Sequence, residues 1–122
     1  MKHEEKLLLI DTTRDEMLVA FIDGDDIQTR TNAEQRRHSE TLNKIAAEFI
    51  PHADIFAVVT GPGSWTGSRV GVVAVKSWAF ATGKPIIALQ NPYDMRNISR
   101  EFTTIHELAP YYDSEFKVTV KK

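Results

Sequence analysis

The residues with the most chemical potential are concentrated in one stretch, "TGPGSWTGSRVG" at 60–71, which holds four of the chain's six glycines. A strand, a glycine-rich turn and a helix N-terminus together make a ready anion site, because free backbone N–H groups and the helix dipole point at the ligand. The P-loop form of that site needs a lysine after its last glycine. Here Gly67 is followed by Ser68. The dinucleotide form needs a third glycine where Thr66 stands. The turn also has a purely structural reading. Gly61 and Gly63 permit positive φ, Pro62 stiffens the bend, and Ser64 caps the helix that follows.

Other reactive side chains do not assemble into known patterns. His3, His38, His52 and His106 show no H-x-x-x-H spacing. Ser39 and Ser64 lie outside any G-x-S-x-G elbow. There is no cysteine, which removes disulfides, thiolate metal sites and thiol nucleophiles together and is consistent with a reducing compartment. The net charge of −2 offers no basic footprint for nucleic acid. No apolar run approaches membrane-spanning length, and "LLLI" at 7–10 is too short for a signal-peptide core.

These residues must be positioned by elements that the hydrophobic pattern predicts. The length of 122 residues with 42% hydrophobic content fits one globular domain with a real core. "KLLLIDT" at 6–12, "EMLVAFI" at 16–22 and "IQTRTN" at 27–32 read as a three-stranded meander, turned at "DGDD". The period then changes. "HSETLNKIAAEFI" at 38–50 places Leu42, Ile45, Ala46 and Phe49 on one helical face, with Ser39 as N-cap, Glu40 in the first turn and Pro51 as the stop. "DIFAVVT" at 54–60 is a buried strand, 64–83 a long helix closed by Gly83, and "PIIAL" at 85–89 a fifth strand. The order β-β-β-α-β-α-β predicts a mixed five-stranded sheet with right-handed crossovers. Beyond Gln90, "YDMRNISREFTTIHEL" reads as an irregular helix and "EFKVTVKK" as a half-exposed edge strand.

The long helix is apolar nearly all round, which marks a helix buried on more than one side. At 100° per residue Gly67, Gly71, Ala74, Trp78 and Ala81 form a stripe of mostly small residues. Val70, Val73 and Phe80 lie beside it, and Arg69 and Lys76 form a narrow polar strip. Glycine inside a helix costs about 1 kcal/mol relative to alanine, so the stripe needs a reason. The stripe admits close approach of another helix, either the one at 38–50 of the same chain or one from a partner chain. The expectation adopted is the partner chain, with Gly71→Leu weakening pairing but sparing the fold.

"LLLIDTT", "HSETLNKI" and "TGPGSWTGSRVGVVAVKSWAFATGKPI" resemble the N-terminal lobe of the bacterial TsaB (YeaZ) family. The family's loop is close to G-P-G-S-F-T-G-L-R-[IV]-G, with Trp65 here replacing the aromatic and Ser68 the leucine. The resemblance covers roughly residues 6–90. It implies an actin-like, ribonuclease H-like lobe at 1–90, with 91–122 a C-terminal extension of helix plus edge strand, a remnant of the second lobe that family members carry.

The resemblance also implies a function: a non-catalytic subunit, not itself an enzyme, for threonylcarbamoylation of adenosine 37 in tRNA. Such a subunit is cytoplasmic and pairs through its two lobe helices with a TsaD-type catalytic paralogue, with a TsaE-type ATPase in the assembly. The implied interface is Leu42, Ile45, Ala46, Phe49, Gly67, Arg69, Gly71, Ala74, Trp78 and Ala81, beside the motif loop Gly61, Pro62, Gly63, Ser64, Trp65 and Thr66. No cofactor is expected on this chain; ATP and metal belong to partner subunits, and the catalytic paralogue's paired-histidine helix has no counterpart here. A homodimer is the alternative pairing. Asp11-Thr12 falls where actin-like ATPases place their first phosphate loop, which leaves a small phosphate- or nucleotide-binding enzyme as the rival reading. A peptidase reading has no nucleophile–base pair or metal set behind it.

Overall fold

The computed structural model describes residues 5–33, 38–63 and 65–109. Six strands form one mixed sheet: β1 Lys6–Asp11, β2 Met17–Asp23, β3 Asp26–Asn32, β4 Ile55–Gly61, β5 Ile86–Gln90 and β6 Phe102–Thr103. Two α-helices, α1 His38–Ala46 and α2 Trp65–Thr82, lie between β3 and β4 and between β4 and β5. The strand order is β3-β2-β1-β4-β5-β6. β1, β4 and β5 are parallel neighbours; β2, β3 and β6 join antiparallel.

Sequence dictates this arrangement residue by residue. β1 and β4 are central strands covered on both faces, so they read as continuous apolar runs rather than alternating ones. Gly24 turns the β2–β3 hairpin at φ 64°, and Gly83 ends α2 at φ 77°, both left-handed positions that favour glycine.

The two sheet faces are filled differently. Leu8, Ile10, Val19, Phe21, Phe56 and Val58 point to the side where α1 and α2 pack. There Phe21 stacks on Phe49 with centroids 5.1 Å apart, and Phe56 meets Trp78 edge-on at 5.8 Å. Leu7, Leu9, Ala20, Ile55, Ala57, Val59 and Ile87 point to the other side, against Tyr93, Met95 and Ile98.

Three expectations are corrected. The sheet has six strands, not five, because Phe102–Thr103 pairs with Ile86–Ile87. Residues 91–109 contain no helix. Asp94 folds the chain locally by accepting from Arg96 N at 3.0 Å, an Asx turn that competes with helix. The first helix ends at Ala46 and passes through a turn into a short 3₁₀ segment, Ile50–His52, so it is shorter than the predicted 38–50. It begins at His38, which puts Ser39 in the first turn rather than at the cap. The predicted strand at 115–122 lies outside the described residues.

Candidate functional site

The loops leaving β1, β4 and β5 converge at the carboxyl ends of these parallel strands, the usual ligand position in open α/β sheets. β1 delivers Asp11, Thr12 and Thr13, all buried. β4 delivers Gly61, Pro62 and Gly63, and β5 delivers Asn91 and Tyr93. The Gly61–Pro62 and Asn91–Pro92 peptide bonds are cis.

The chain's own groups occupy the Asp11 carboxylate. Oδ1 accepts from Thr13 N at 2.9 Å and Thr13 Oγ1 at 2.6 Å. Oδ2 accepts from the Tyr93 hydroxyl at 2.7 Å, with the exposed Arg14 Nε 3.9 Å away. Burial, then the hydrogen bond and charge of Asp11, push the Tyr93 phenol well above its ordinary range, so it stays a donor; Arg14 opposes this weakly. Asn91 ties the three loops together. Its Nδ2 donates to Thr13 Oγ1 at 3.0 Å and to Pro62 O at 2.8 Å, while its backbone N donates to Gly61 O at 2.8 Å.

Thr12 couples this cluster to α2. Its hydroxyl donates to Gly67 O and accepts from Gly71 N at 3.0 Å. It therefore bridges the N–H and C=O that an α-helix would pair directly. A Cβ on Gly71 would stand 2.7 Å from Thr12 Oγ1 and 3.4 Å from Ile10 and Val58 side chains. Gly63 is needed for a similar reason: a Cβ there would collide with Thr13 O and approach Thr13 Cβ to 2.7 Å. Only Gly61 of the loop pair has positive φ, at 134°. The expected conformational role for Gly63 is thus replaced by close approach to β1.

These contacts turn much of the small-residue stripe of α2 inward. Gly67, Gly71, Ala74 and Trp78 are buried inside this chain. The Trp78 indole donates to Asn43 Oδ1 of α1 at 2.9 Å. Leu42, Ala46 and Phe49 are buried in the same core. Gly71 makes room for Thr12 and the sheet, while Ala74 and Trp78 lie beside Asn43 of α1. Of the expected interface, Arg69 and Ala81 are exposed and Ile45 is partly so. Trp65 and Thr66 open α2, and Ser64 lies outside the described residues.

The outer side of α2 carries its exposed apolar residues. Val73 is 65% and Phe80 81% exposed, on the face of Arg69 and Lys76 and beside Ser77. A shallow groove between the helices is lined by Asn43, Val70, Val73, Ala74 and Ser77. The signal was available: residues 69, 73, 76 and 80 fall on one side at helical spacing, so the polar strip already marked the solvent face. Asn91 and Tyr93 were missed as well. Their one local cue was an Asn-Pro turn directly after a parallel strand. Among the described residues no three His, Cys, Asp or Glu side chains converge on a metal position. No helix there is long and apolar enough to cross a membrane.

Sheet order, helices on the α1/α2 face and converging carboxyl-end loops define an actin-like, ribonuclease H-like lobe. The fold is similar to that of "YeaZ from Pseudomonas aeruginosa", with TM-score 0.63 and 25% identity over 70% of this chain and 44% of that one. A second solved structure, described as "an uncharacterized protein with similarity to peptidase YEAZ from Pseudomonas aeruginosa", gives TM-score 0.61 and 25% identity over 70% and 43%. In sequence, residues 30–95 match the model of the family "TsaD: tRNA N6-adenosine threonylcarbamoyltransferase", and the chain belongs to that family. A curated relative, the tRNA N6-adenosine threonylcarbamoyltransferase of Bartonella bacilliformis, is 40% identical over 63 residues, 46% of this chain and 17% of that protein. The chain therefore spans about a sixth of that relative's length and less than half of either solved structure.

Proposed function

We propose that this chain is a non-catalytic pairing subunit in the threonylcarbamoylation of adenosine 37 in tRNA, binding a TsaD-type catalytic paralogue through the outer side of its helices. The family match and the YeaZ-like fold support the pathway. The observation that carries the pairing is the exposed apolar ridge of α2. Val73 and Phe80 are the largest such side chains on a helix whose other apolar residues are mostly buried. Truly exposed large apolar groups close together are characteristic of docking surfaces. With Ile45, Arg69 and Ala81 retained from the expected interface, the docking face becomes Ile45, Arg69, Val73, Ser77, Phe80 and Ala81.

The occupied Asp11 carboxylate supports the absence of chemistry on this subunit. A phosphate or its metal would have to displace Tyr93 from Oδ2 and Thr13 from Oδ1. In this reading ATP and metal are held by partner subunits, including a TsaE-type ATPase, and the work is done in the cytoplasm. In this reading the lobe runs beyond residue 90, because Tyr93, Met95 and Ile98 pack on its sheet and Phe102–Thr103 pairs with β5.

Co-expression with the paralogue and light scattering tests the proposal. Phe80→Asp combined with Val73→Asp is expected to abolish the heterodimer while leaving the circular dichroism spectrum unchanged. A heterodimer of undiminished affinity in the folded double variant would end the proposal.

A further inference from the structure

We infer that the outer edge of β3 is a self-association site, at which a second copy of this chain adds its own β3 antiparallel about Thr29. This inference is independent of the helix-face pairing above.

The two edges of the sheet are treated differently. β6 closes one side with two residues, a length that offers little template. β3 runs for seven residues in unbroken register with β2, from Asp23↔Asp26 to Met17↔Asn32. Among the described residues no strand lies beyond it. It has no proline, lysine or bulge, the devices that normally blunt an edge. Asp26, Gln28, Thr29, Arg30 and Thr31 are exposed. The nearest thing to a guard is Arg30. Its guanidinium donates to Thr29 O at 3.1 Å, pairs with Glu48 at 3.2 Å and lies 5.3 Å over the Phe49 ring. Glu48 and Phe49 hold it on the helix side of the sheet, and an added strand that pairs with Thr29 O displaces its bond there.

The strand is complementary to itself. Antiparallel pairing about Thr29 sets Thr29 opposite Thr29, Gln28 opposite Arg30, Ile27 opposite Thr31 and Asp26 opposite Asn32. No like charges lie directly opposite; on the diagonals the two Arg30 residues meet once, while each also gains the second copy's Asp26. Thr–Thr and opposite-charge pairs are among the stabilising cross-strand contacts. Any one-residue slip of this register would turn the sheet faces of the two copies against each other. Strand addition of this kind draws its affinity from main-chain hydrogen bonds and its register from side chains.

The absence of cysteine makes the register directly testable. In the full chain, Thr29→Cys places two thiols opposite each other and is expected to give a disulfide-linked dimer on mild oxidation. Thr31→Cys is expected to stay monomeric on a non-reducing gel. Its two copies lie four residues out of register, about 14 Å apart, against a disulfide Cα–Cα reach of about 7 Å. Thr29→Lys sets like charges across the twofold axis and should weaken dimerisation measured by light scattering roughly fivefold or more. Three results would each overturn the inference: a wild-type chain monomeric at its solubility limit, equal cross-linking of the two cysteine variants, or a dimer indifferent to Thr29→Lys but lost in Phe80→Asp.

Discussion

The inner and outer faces of α2 are built from similar residues and do opposite things. The inner face holds Gly67, Gly71, Ala74, Val75 and Trp78, all buried. The outer face holds Val73 and Phe80 in solvent between Arg69 and Lys76. What separates them is the room left at Gly67 and Gly71, where the sheet comes closest. The helix axis comes close enough to β1 for the Thr12 hydroxyl to enter its hydrogen-bond ladder, and only glycine leaves room for that. Large apolar residues are tolerated where nothing of this chain approaches. A stripe of small residues on an all-apolar helix therefore marks the tightest neighbour, and here that neighbour is the sheet.

Breaking the inner face should have the largest effect. Gly71→Leu drives a side chain into Thr12, Ile10 and Val58, and overpacking of this kind costs on the order of 3 kcal/mol. Urea unfolding should show the loss in the isolated chain; a variant of native stability would return Gly71 to the partner side. Thr12→Val is next. It removes the bridge and leaves Gly71 N–H and Gly67 C=O to re-pair or stand unsatisfied, at about 1–3 kcal/mol.

A smaller effect is expected at Tyr93. Its phenol ionises less readily folded than unfolded, so its contribution is fully present below about pH 10, the ordinary phenol range, and declines as pH rises above it. Tyr93→Phe should lower stability at neutral pH by about 1 kcal/mol and flatten the alkaline decline, read from thermal unfolding between pH 8 and 11. An unchanged alkaline slope would remove Tyr93 from the Asp11 cluster. The same variant, titrated with magnesium-ATP in a calorimeter, asks whether freeing Oδ2 creates a nucleotide site; no binding is expected with or without the tyrosine. At the far end, Phe80→Asp should shift unfolding by no more than about 0.5 kcal/mol, as a surface substitution does. A large loss would mean that Phe80 belongs to the core.

Much of the fold was readable because it is locally encoded. Leu7–Ile10 and Phe56–Val59 are central strands whose apolar runs have one interpretation once a helix is seen between them. Gly24 and Gly83 punctuate as turn residues should. What escaped was non-local. Which side of α2 meets the sheet cannot be decided from a wheel that is apolar nearly all round. The pairing of Phe102–Thr103 with β5 leaves no periodicity in two residues. Tyr93 reaches Asp11 across 82 positions of chain, a contact set by topology rather than by pattern. At the candidate site, 61–63 could be read as a tight strand-to-helix turn, but the fit of Gly63 against Thr13 leaves no local pattern.

The Thr12 bridge has a mechanical consequence. A helix that exchanges backbone hydrogen bonds with a strand hydroxyl cannot rotate or slide without dragging that strand's end with it. The outer ridge and the Asp11–Tyr93 cluster are thus opposite sides of a single stiff body. A partner that shifts the N-terminal turns of α2 would therefore be expected to move Thr12 and the end of β1 with them.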